Sequence, residues 1–486
     1  MMRRIAICLS LAVLTLSLGA QDMQRLAEPD IIGTARYVGM VGAMTAVGGD
    51  PSAIHDNPAA LGVYRRFESS LSLGGRFDRT AQSTTAASRS MTNPLESTFV
   101  LPQVSFVFAL GNDYVRKGLI YNNMSFSFNR LASYRRCASA RFDGVSSSLA
   151  EQMAMSAAGI SSADMSNASR WDNERIGWLS LLGYDSYMID PVGTDSSNWM
   201  PYTNWAAVEA PYMRVTESGY LDQFAITWGG NIDNRWFIGV GLNIRSLRYT
   251  KITEYTEYAS STAVAALTST YNLSGVGVNG AVGLMAQPIR WLRIGASFTS
   301  PTYVGTTMRT YGVAESVGIH KDGDHTRFRG ETPEWVEKRK LYMPLRVSVG
   351  AAFIVGRIGL VSLQYDYQHQ KDLQDTHALR LGTEWVICRN LFLNAGYAYT
   401  FIPGEAAYRR NIAANDVRTD ADWACMRRTH HVGAAIGYRG NFTFVQVGYH
   451  YALRHQDVYP FATEPSQPLR NHTHDIVVTI GWHSAK

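Results

Sequence analysis

The sequence predicts an all-β fold: a fourteen-stranded antiparallel barrel that spans an outer membrane, with an N-terminal, mostly helical hatch in its lumen. Three observations support this prediction. Fourteen segments alternate apolar and polar residues with a period of two, tight turns and long loops alternate between them, and the chain begins with a signal-like sequence. Period-two alternation indicates strands with one apolar face, and unequal loops are typical of outer-membrane barrels.

Residues 1–20 have the regions of a secretory signal peptide. Arg3 and Arg4 form the basic region, an apolar stretch follows, and small residues lead to a cleavage site after Ala20. The apolar stretch is too short for a membrane-anchor helix. We therefore expect export from the cytoplasm and removal of this segment.

Charge and cysteine content exclude further classes of protein. The signal peptide holds two of the 45 basic residues and none of the 40 acidic ones. The mature chain thus carries a net charge of about +3, which argues against nucleic-acid binding. Cys137, Cys388 and Cys425 are too few for a disulfide framework and lack zinc-site spacing. A disulfide between Cys137 and Cys425 stays open, because both fall on one side of the predicted barrel, and no cofactor is expected.

The fourteen predicted strands share an apolar face that ends in aromatic residues and an opposite face of Gly, Ser, Gln and some charge. VSLQYDYQ at 361–368 shows this alternation. Each segment is long enough for a tilted strand to cross a bilayer. A soluble sandwich or propeller also alternates, but does not need the signal peptide, the aromatic-ended faces and the loop asymmetry together. The strands are expected near 67–77, 99–110, 118–131, 219–230, 235–248, 271–286, 291–302, 341–355, 357–369, 376–388, 391–402, 427–438, 441–453 and 473–483.

The connections between these strands predict the orientation of the barrel. Tight turns face the periplasm in outer-membrane barrels, so the long polar loops face outward. Closure of the sheet is a physical requirement, because an open edge in lipid leaves unpaired backbone groups. The barrel is expected over 67–486, with extracellular loops at 132–218, 249–270, 303–340, 403–426 and 454–472.

Residues 21–66 precede the first strand and include GGDPSAIHDNPAALGVYRR, a stretch punctuated by Gly, Pro and Asn, with Gly/Ala-rich pieces at 34–47 and 52–62. Asp50-Pro51 and Asn57-Pro58 are helix-start or turn signals, so short helices that pack closely are expected. A phosphate loop is disfavoured, because the segment has neither GK[ST] nor GxGxxG, and linkers are not usually this apolar. We predict a hatch that folds up into the barrel lumen.

A family resemblance rests on motifs in this hatch and in the strands. Asn57, Pro58 and Ala59 match the Asn-Pro-Ala motif in the hatch of the FadL/TodX family of outer-membrane transporters for hydrophobic compounds. The chain resembles this family over nearly its whole mature length, and fourteen strands is also the family's number. Further similarities, to the branch found in Bacteroidetes-type bacteria, are LPQVSFVF at 101–108, RIGASFTSPTY at 293–303 and the PLRVSVGAAF–QYDY run at 344–367.

The resemblance implies passive uptake of a hydrophobic compound, typically a long-chain fatty acid. The compound is captured at the extracellular loops, meets the hatch in the lumen, and leaves sideways through hatch movement or a gap at a kinked third strand. A lateral exit keeps the apolar part of an amphiphile out of water. The expected partners are hydrophobic small molecules, outer-membrane lipid and lipopolysaccharide, and the barrel assembly machinery. The expected form is a monomer in a Gram-negative outer membrane.

The third predicted strand, IYNNMSFSFN, carries the candidate for a lateral gap. Asn122 falls on the lipid-facing phase that Met124 and Phe126 keep, and an Asn in hydrocarbon is costly unless it is satisfied. Asn122 and Asn123 are therefore a candidate break in the wall. A bulge, or an interfacial Asn at the periplasmic rim, explains the same pattern.

Arg245, Arg346 and Arg380 are the candidates to hold a substrate carboxylate. Strand phase places all three in the lumen, where a guanidinium group can hold a carboxylate with two hydrogen bonds. The alternative is a structural network, with Asp366 or Glu384 as the partner of Arg380.

The loop 132–218 contains an amphipathic stretch with Leu149, Met153, Ala157 and Ile160 near helical spacing. A Met-rich helix at the mouth offers a soft apolar surface for first capture of a substrate. The alternative is a helix that simply packs against neighbouring loops.

Ten histidines fall in loops or strand ends on the extracellular side, which keeps haem or metal capture open. His472 and His474 come closest to a ligand pair, although scattered polar loop residues explain the pattern as well. An enzyme is disfavoured, because GxSxG, HExxH and a convincing nucleophile–base pair are missing. The alternatives to transport are a PorV-like protein-binding barrel of type IX secretion and a haemin-binding receptor.

Overall fold

The computed structural model describes residues 25–28, 30–82, 93–111, 117–193, 197–201, 209–259, 262–319, 325–369, 374–403, 416–420, 423–461, 464 and 466–484. The predicted signal peptide lies outside these residues. The strands are β1 Glu68–Gln82, β2 Glu96–Gly111, β3 Leu119–Ser133, β4 Arg136–Arg141, β5 Ile189–Pro191, β6 Trp199–Pro201, β7 Glu209–Ile232, β8 Trp236–Ala259, β9 Thr262–Ile289, β10 Leu292–Thr299, β11 Thr302–Ile319, β12 His325–Glu331, β13 Trp335–Met343, β14 Leu345–Val355, β15 Gly359–His369, β16 Thr376–Cys388, β17 Leu391–Phe401, β18 Trp423–Arg439, β19 Thr443–Tyr459 and β20 Gln467–His483.

The sheet closes on itself, because β1 pairs antiparallel with both β2 and β20. Fourteen positions form the wall. Two of them hold a strand in two pieces, β3 with β4 and β10 with β11, and a third holds β12, β13 and β14. Pro301 and Pro344 lie at two of these breaks, where a residue without a backbone N–H interrupts the ladder. The predicted fourteen-stranded antiparallel barrel is confirmed.

The outer face of the wall is apolar and the inner face is polar. On β20, Ile476 is 44% exposed and Ile480 is 54% exposed, whereas Asp475 and Thr479, each one residue earlier, are buried. This distribution, with polar residues buried and apolar residues exposed, is the reverse of that in a sheet of a soluble protein. This arrangement suits a barrel whose outer face meets hydrocarbon.

Several strands run past their predicted ends on the long-loop side. Residues 249–259 belong to β8 and residues 262–270 to β9, and β11 to β13 fill most of 303–340. The segments expected as loops at 249–270 and 303–340 are therefore largely strand. Outside an apolar environment the outer face becomes polar, so the alternation that identified the strands fades there although the hydrogen-bonded ladder continues.

The plug segment, residues 30–64, lies inside the barrel and contains three short helices. The Asp50 carboxylate accepts a hydrogen bond from the Ser52 backbone N–H at 2.9 Å, and the Asn57 side chain accepts one from Ala59 at 3.0 Å. Both sequence signals thus start a helix. The helices are α1 Ala35–Gly39, α2 Pro51–Asp56 and a 3-10 helix Pro58–Val63.

The long connection between β4 and β7 folds over the mouth of the barrel. It contains α3 Leu149–Ala157, α4 Ser162–Met165, a 3-10 helix Arg170–Asp172 and α5 Trp178–Asp185. Ser148 and Glu151 form a capping box at the start of α3. Among the described residues, no helix has the length and apolar character needed to cross a membrane.

Candidate functional site

A belt of lumen-facing glycines receives the plug segment. A β-carbon added at Gly239 would lie 2.2 Å from the carbonyl carbon of Pro58, and one at Gly433 would lie 2.3 Å from the carbonyl oxygen of Val38. No side chain fits at such distances, so glycine allows the two backbones to approach closely. Eight strands contribute to this glycine belt: Gly229, Gly239, Gly283, Gly295, Gly382, Gly396, Gly433 and Gly448.

Other strands hold the plug segment by polar side chains. The Asn123 amide on β3 donates to the backbone carbonyls of Leu61 at 2.8 Å and Tyr64 at 2.9 Å. On β15, the Gln364 side chain accepts a hydrogen bond from the backbone N–H of Thr45 at 2.9 Å. The plug segment is therefore fixed to the wall around the barrel.

Arg346 and Arg380, two candidates for a substrate carboxylate, already contact carboxylates of the protein. Arg346 lies 2.5 Å from Asp56 of the plug segment and 3.2 Å from Asp366. Arg380 lies 2.7 Å from Asp366 and donates to the Val41 carbonyl at 3.1 Å. These two residues anchor the plug segment. They therefore match the alternative left open by the sequence, in which the arginines belong to a structural network.

Three further ion pairs tie the plug segment to the wall. Asp30, at its start, pairs with Arg76 at 2.5 Å and also with Arg454. Arg36 on α1 pairs with Glu384 at 2.5 Å, so this acid serves the plug segment rather than a wall arginine. Breaking a buried pair leaves an uncompensated charge, so each pair resists displacement of the plug segment.

Arg245 is the remaining candidate, and it differs from the other two. Its guanidinium donates to Gln223 at 3.0 Å and to the Thr302 hydroxyl at 2.8 Å. Both partners are neutral, and within the described part of the chain Arg245 has no carboxylate partner. A positive charge in the lumen is thus left to attract an anion.

An apolar cluster lies next to Arg245 on the mouth side. Leu247 follows Arg245 by two residues on β8 and faces the lumen as well. Apolar surface beside a guanidinium group suits a molecule with a hydrocarbon part and a carboxylate. The sequence analysis missed this lumen cluster, because its inward apolar residues stand in segments assigned to strand ends and loops. Its buried members include Leu221, Leu247, Leu273, Val304, Met308 and Met343.

The wall is continuous at the predicted lateral gap. Asn122 pairs with Leu110 on β2 and with Gly230 on β7, and Asn123 keeps both ladders in register. Asn122 does face outward, but its side-chain oxygen accepts a hydrogen bond from the indole of Trp228. The described strands therefore show no break at Asn122 and Asn123. The structure agrees better with the alternative for Asn122, an interfacial Asn at the rim of the barrel.

An irregularity occurs instead between β1 and β2. Ser72 pairs with Gln103, but Gly74 pairs with Val100, so β2 carries one extra residue. Pro102 lies in this bulge and has no N–H to donate. The sequence signal was a proline in mid-strand. A wall crevice opens here, lined by Ile31 and Ile32 of the plug segment and by Gly74, Gly75, Pro102 and Ile476.

The predicted mouth helix exists, but its apolar face is covered. Leu149, Met153 and Ala157 are wholly buried, and Ile160 is partly buried against the same core. Met153 packs closely against Gly183 on α5. The helix therefore matches the alternative of packing against neighbouring loops. Its apolar face could capture a substrate only if the mouth opened.

A carboxyl group lies inside this mouth core, beyond the apolar outer band. Glu257 accepts hydrogen bonds from the Leu149 backbone N–H at 2.6 Å and from the Tyr255 hydroxyl at 3.1 Å. Burial is the largest influence and raises the pKa of Glu257 to about 7. The start of α3 therefore depends on a group that titrates near neutral pH.

The two histidines that come closest to a metal-ligand pair are each hydrogen-bonded to a tyrosine. Nδ1 of His472 is hydrogen-bonded to Tyr451 and Nδ1 of His474 to Tyr449, each at 2.7 Å. Within the described ranges, no group of three His, Cys, Asp or Glu residues could hold a metal ion. Cys137 is a buried free thiol, and the side chain of Cys425 lies outside the described residues.

Comparison with known proteins identifies solved structures that have a similar fold. No protein-family model and no curated protein matches the chain. The toluene transporter TodX of P. putida is similar in structure, with a TM-score of 0.54 and 13% identity over 94% of this chain and 100% of that chain. A Pseudomonas aeruginosa FadL homologue gives 0.53 and 9% over 93% and 98% of the two chains. The Ralstonia pickettii toluene transporter TbuX gives 0.50 and 12% over 93% and 99%.

These neighbours define the class of fold as a FadL/TodX-like antiparallel barrel. The chain has the fold of FadL/TodX hydrophobic-compound channels, as its motifs predicted. The neighbours are transport channels and not enzymes. At such low identity the likeness concerns the fold alone.

Proposed function

We propose that this protein is a Gram-negative outer-membrane channel for passive uptake of hydrophobic compounds. The observation that carries the proposal is the plug segment, seated on the glycine belt of a closed barrel that has an apolar outer face. The fold shared with TodX, TbuX and a FadL homologue supports it. The assignment to the Bacteroidetes-type branch and the monomeric state stay predictions.

The preferred substrate in this proposal is an amphiphile with a carboxylate, such as a long-chain fatty acid. Arg245 supports this choice, because it faces the lumen with neutral partners only. The neighbouring lumen cluster supplies apolar surface for a hydrocarbon chain. Arg346 and Arg380 take no part in substrate binding while the plug segment is seated.

Release is proposed to occur sideways at the wall crevice. Ile31 and Ile32 of the plug segment line the crevice from the inside, and the bulge at Pro102 weakens the ladder there. A shift of the plug segment would therefore connect the lumen with the bilayer. Such an exit keeps the apolar chain out of bulk water.

The proposal is tested by uptake of oleate, toluene and haemin into cells with and without the protein. We expect uptake of oleate and toluene. Arg245→Gln should lower oleate uptake about tenfold, the order of one charged hydrogen bond, and leave toluene uptake unchanged. Arg248→Gln, an exposed position on the outer face of β8, is the matched control.

The outcomes separate the parts of the proposal. If cells with and without the protein take up oleate at the same rate, and likewise toluene, the result contradicts the channel. Protein-dependent uptake of haemin alone favours the haemin-binding receptor. Equal effects of Arg245→Gln and Arg248→Gln contradict the carboxylate role. Gly75→Leu, which narrows the crevice from outside, should slow uptake of both hydrocarbon substrates, and an unchanged rate contradicts release at that place.

A further inference from the structure

A group of basic side chains covers the outer face of β18, β19, β20 and β1 at the long-loop end. Arg428, His455 and Arg470 lie directly opposite one another on three neighbouring strands. One pleat repeat closer to the middle of the barrel, His472 lies opposite Arg79. We call this group the outer cationic patch: Arg79, Arg428, His430, His455, Arg470 and His472.

The three arginines of the patch point outward and are exposed. Among the described residues they form no ion pair. The nearby carboxylate of Asp457 is paired with Arg427. The patch thus keeps a surplus of positive charge on a small part of the surface.

The opposite side of the barrel shows how charges on this protein are otherwise balanced. On β11 to β13, Arg309 lies 3.4 Å from Glu334, and Arg339 lies 2.7 Å from Glu337. Like charges on neighbouring strands destabilise a sheet unless an anion compensates them. Within the described residues no anion compensates the outer cationic patch, which therefore points to an anionic ligand.

The histidines of the patch add hydrogen-bond donors. Nδ1 of His472 is bonded to the Tyr451 hydroxyl at 2.7 Å, and Nδ1 of His430 to the Tyr397 hydroxyl at 2.8 Å. With the tyrosine as donor, each neutral ring carries its proton on Nε2 and can donate it to a ligand. Guanidinium and imidazole donors together are the chemistry that recognises phosphate.

The height of the patch on the wall indicates the kind of phosphate. Val432 and Ile476, on the same outer face toward the short-turn end, are 48% and 44% exposed. The patch therefore lies where the outer face changes from apolar to charged. In a bilayer this is the level of the lipid headgroups.

We propose that the outer cationic patch binds the phosphate groups of an anionic glycolipid of the outer leaflet, with the acyl chains of the lipid along the apolar face below. Arg428 and Arg470 are two strand spacings apart, roughly 9–10 Å at their backbones, a span that one or two phosphates can bridge. This inference depends on the membrane location of the barrel and is independent of what passes through it.

The test is native mass spectrometry of the full-length mature barrel in detergent with added lipid A. The lipids are bisphosphorylated lipid A and its dephosphorylated form with the same acyl chains. The triple variant Arg79→Gln/Arg428→Gln/Arg470→Gln is compared with Arg248→Gln/Lys338→Gln/Lys340→Gln, which removes three charges from other exposed outer positions. Heat-modifiable gel mobility confirms that each variant has a folded barrel.

We expect the wild type and the control variant to retain bisphosphorylated lipid A equally. The patch variant should retain it roughly 10- to 100-fold less, since each arginine near an anionic surface contributes on the order of tenfold or less. Dephosphorylated lipid A should bind weakly to all three proteins. Equal retention by the patch and control variants, equal binding of both lipids, or complete displacement by millimolar inorganic phosphate would overturn the proposal.

Discussion

The two ends of the lumen are closed by different kinds of contact. At the short-turn end, the backbone of the plug segment lies against the glycine belt and is tied down by buried ion pairs. At the mouth, α3 and α5 are held by an ordinary core of Leu, Met and Ala side chains. A backbone-to-glycine fit tolerates no added atom, whereas a Met-rich core can repack.

This difference suggests which closure yields first to a hydrophobic molecule. The mouth core is apolar and adaptable, so an apolar substrate can replace its internal contacts. The plug segment is held by shape and charge, which an apolar substrate cannot replace. Displacement of the plug segment therefore needs a competing charge. Under the proposed function, a substrate carboxylate bound at Arg245 beside the lumen cluster would supply it.

The largest expected effect comes from removing a charge that holds the plug segment. Asp56→Ala leaves the buried Arg346 with less compensation and removes the partner of the Tyr37 hydroxyl at 2.7 Å. We expect the docking of the plug segment to weaken by about 3–5 kcal/mol. Hydrogen exchange of the α1 and α2 amides, measured against barrel amides, reports this change.

The control for this prediction is Glu334→Ala, which breaks the exposed pair with Arg309. Exposed pairs contribute roughly 0–1 kcal/mol, so protection of the plug segment should stay as in the wild type. Equal exchange in the Asp56 and Glu334 variants would mean that charge does not hold the plug segment.

At the mouth, the expected effect depends on pH. The folded pKa of Glu257, about 7, lies above its ordinary value. The neutral form is thus favoured in the fold, and its contribution is complete below the ordinary carboxyl pKa and is lost as pH rises through about 7. The protection factors of the α3 amides, which divide out the intrinsic rise of exchange with pH, should fall between pH 5 and pH 8 by up to about tenfold per pH unit.

Glu257→Gln should remove this dependence, because an amide does not titrate. Asp164→Asn, on the exposed helix α4, serves as the control and should keep it. If the pH dependence of exchange in α3 survives in the Glu257 variant, another titratable group must cause it. A plug segment that loosens over the same pH range would show that the two closures are coupled.

The smallest effect is expected from a single methyl group in the glycine belt. The β-carbon of Gly433→Ala would lie 2.3 Å from the Val38 carbonyl oxygen. Overpacking of this kind costs roughly 1–3 kcal/mol and should displace the plug segment locally. Limited proteolysis within residues 30–64 should become faster.

Gly305→Ala is the matched control, because a β-carbon there meets no heavy atom within 4 Å. It changes the same residue type in a wall strand without touching the plug segment. Protease resistance that is equal in the Gly433 and Gly305 variants would contradict a close fit at the belt.

The sequence predicted the barrel well because alternation is a local signal that each strand carries by itself. The start signals at Asp50 and Asn57 were local too, and both cap a helix. The contacts of the lumen could not be predicted in this way. Asp56 and Arg346 are 290 residues apart, and only the register of the closed sheet brings them together.

The lateral gap shows where local reasoning failed. Asn122 seemed unsatisfied in hydrocarbon, but the neighbouring strand supplies the indole of Trp228. Pro102 would have been a better signal, because proline inside a strand removes a ladder hydrogen bond wherever the strand lies. In the sequence, the glycine belt appeared only as glycines on the polar face of the strands. Their role could not be predicted, because it depends on contact with the backbone of the plug segment.

The central claim, that the plug segment is seated against the lumen wall, is tested most directly by a disulfide. A β-carbon at Gly350 would lie 3.4 Å from the β-carbon of Thr45, close to the disulfide range of about 3.5–4.5 Å. Thr45→Cys/Gly350→Cys, with the three native mature-chain cysteines changed to Ser, should cross-link nearly completely in the folded barrel. Thr45→Cys/Gly305→Cys should not. A folded barrel in which the first pair stays reduced under oxidant would contradict the account.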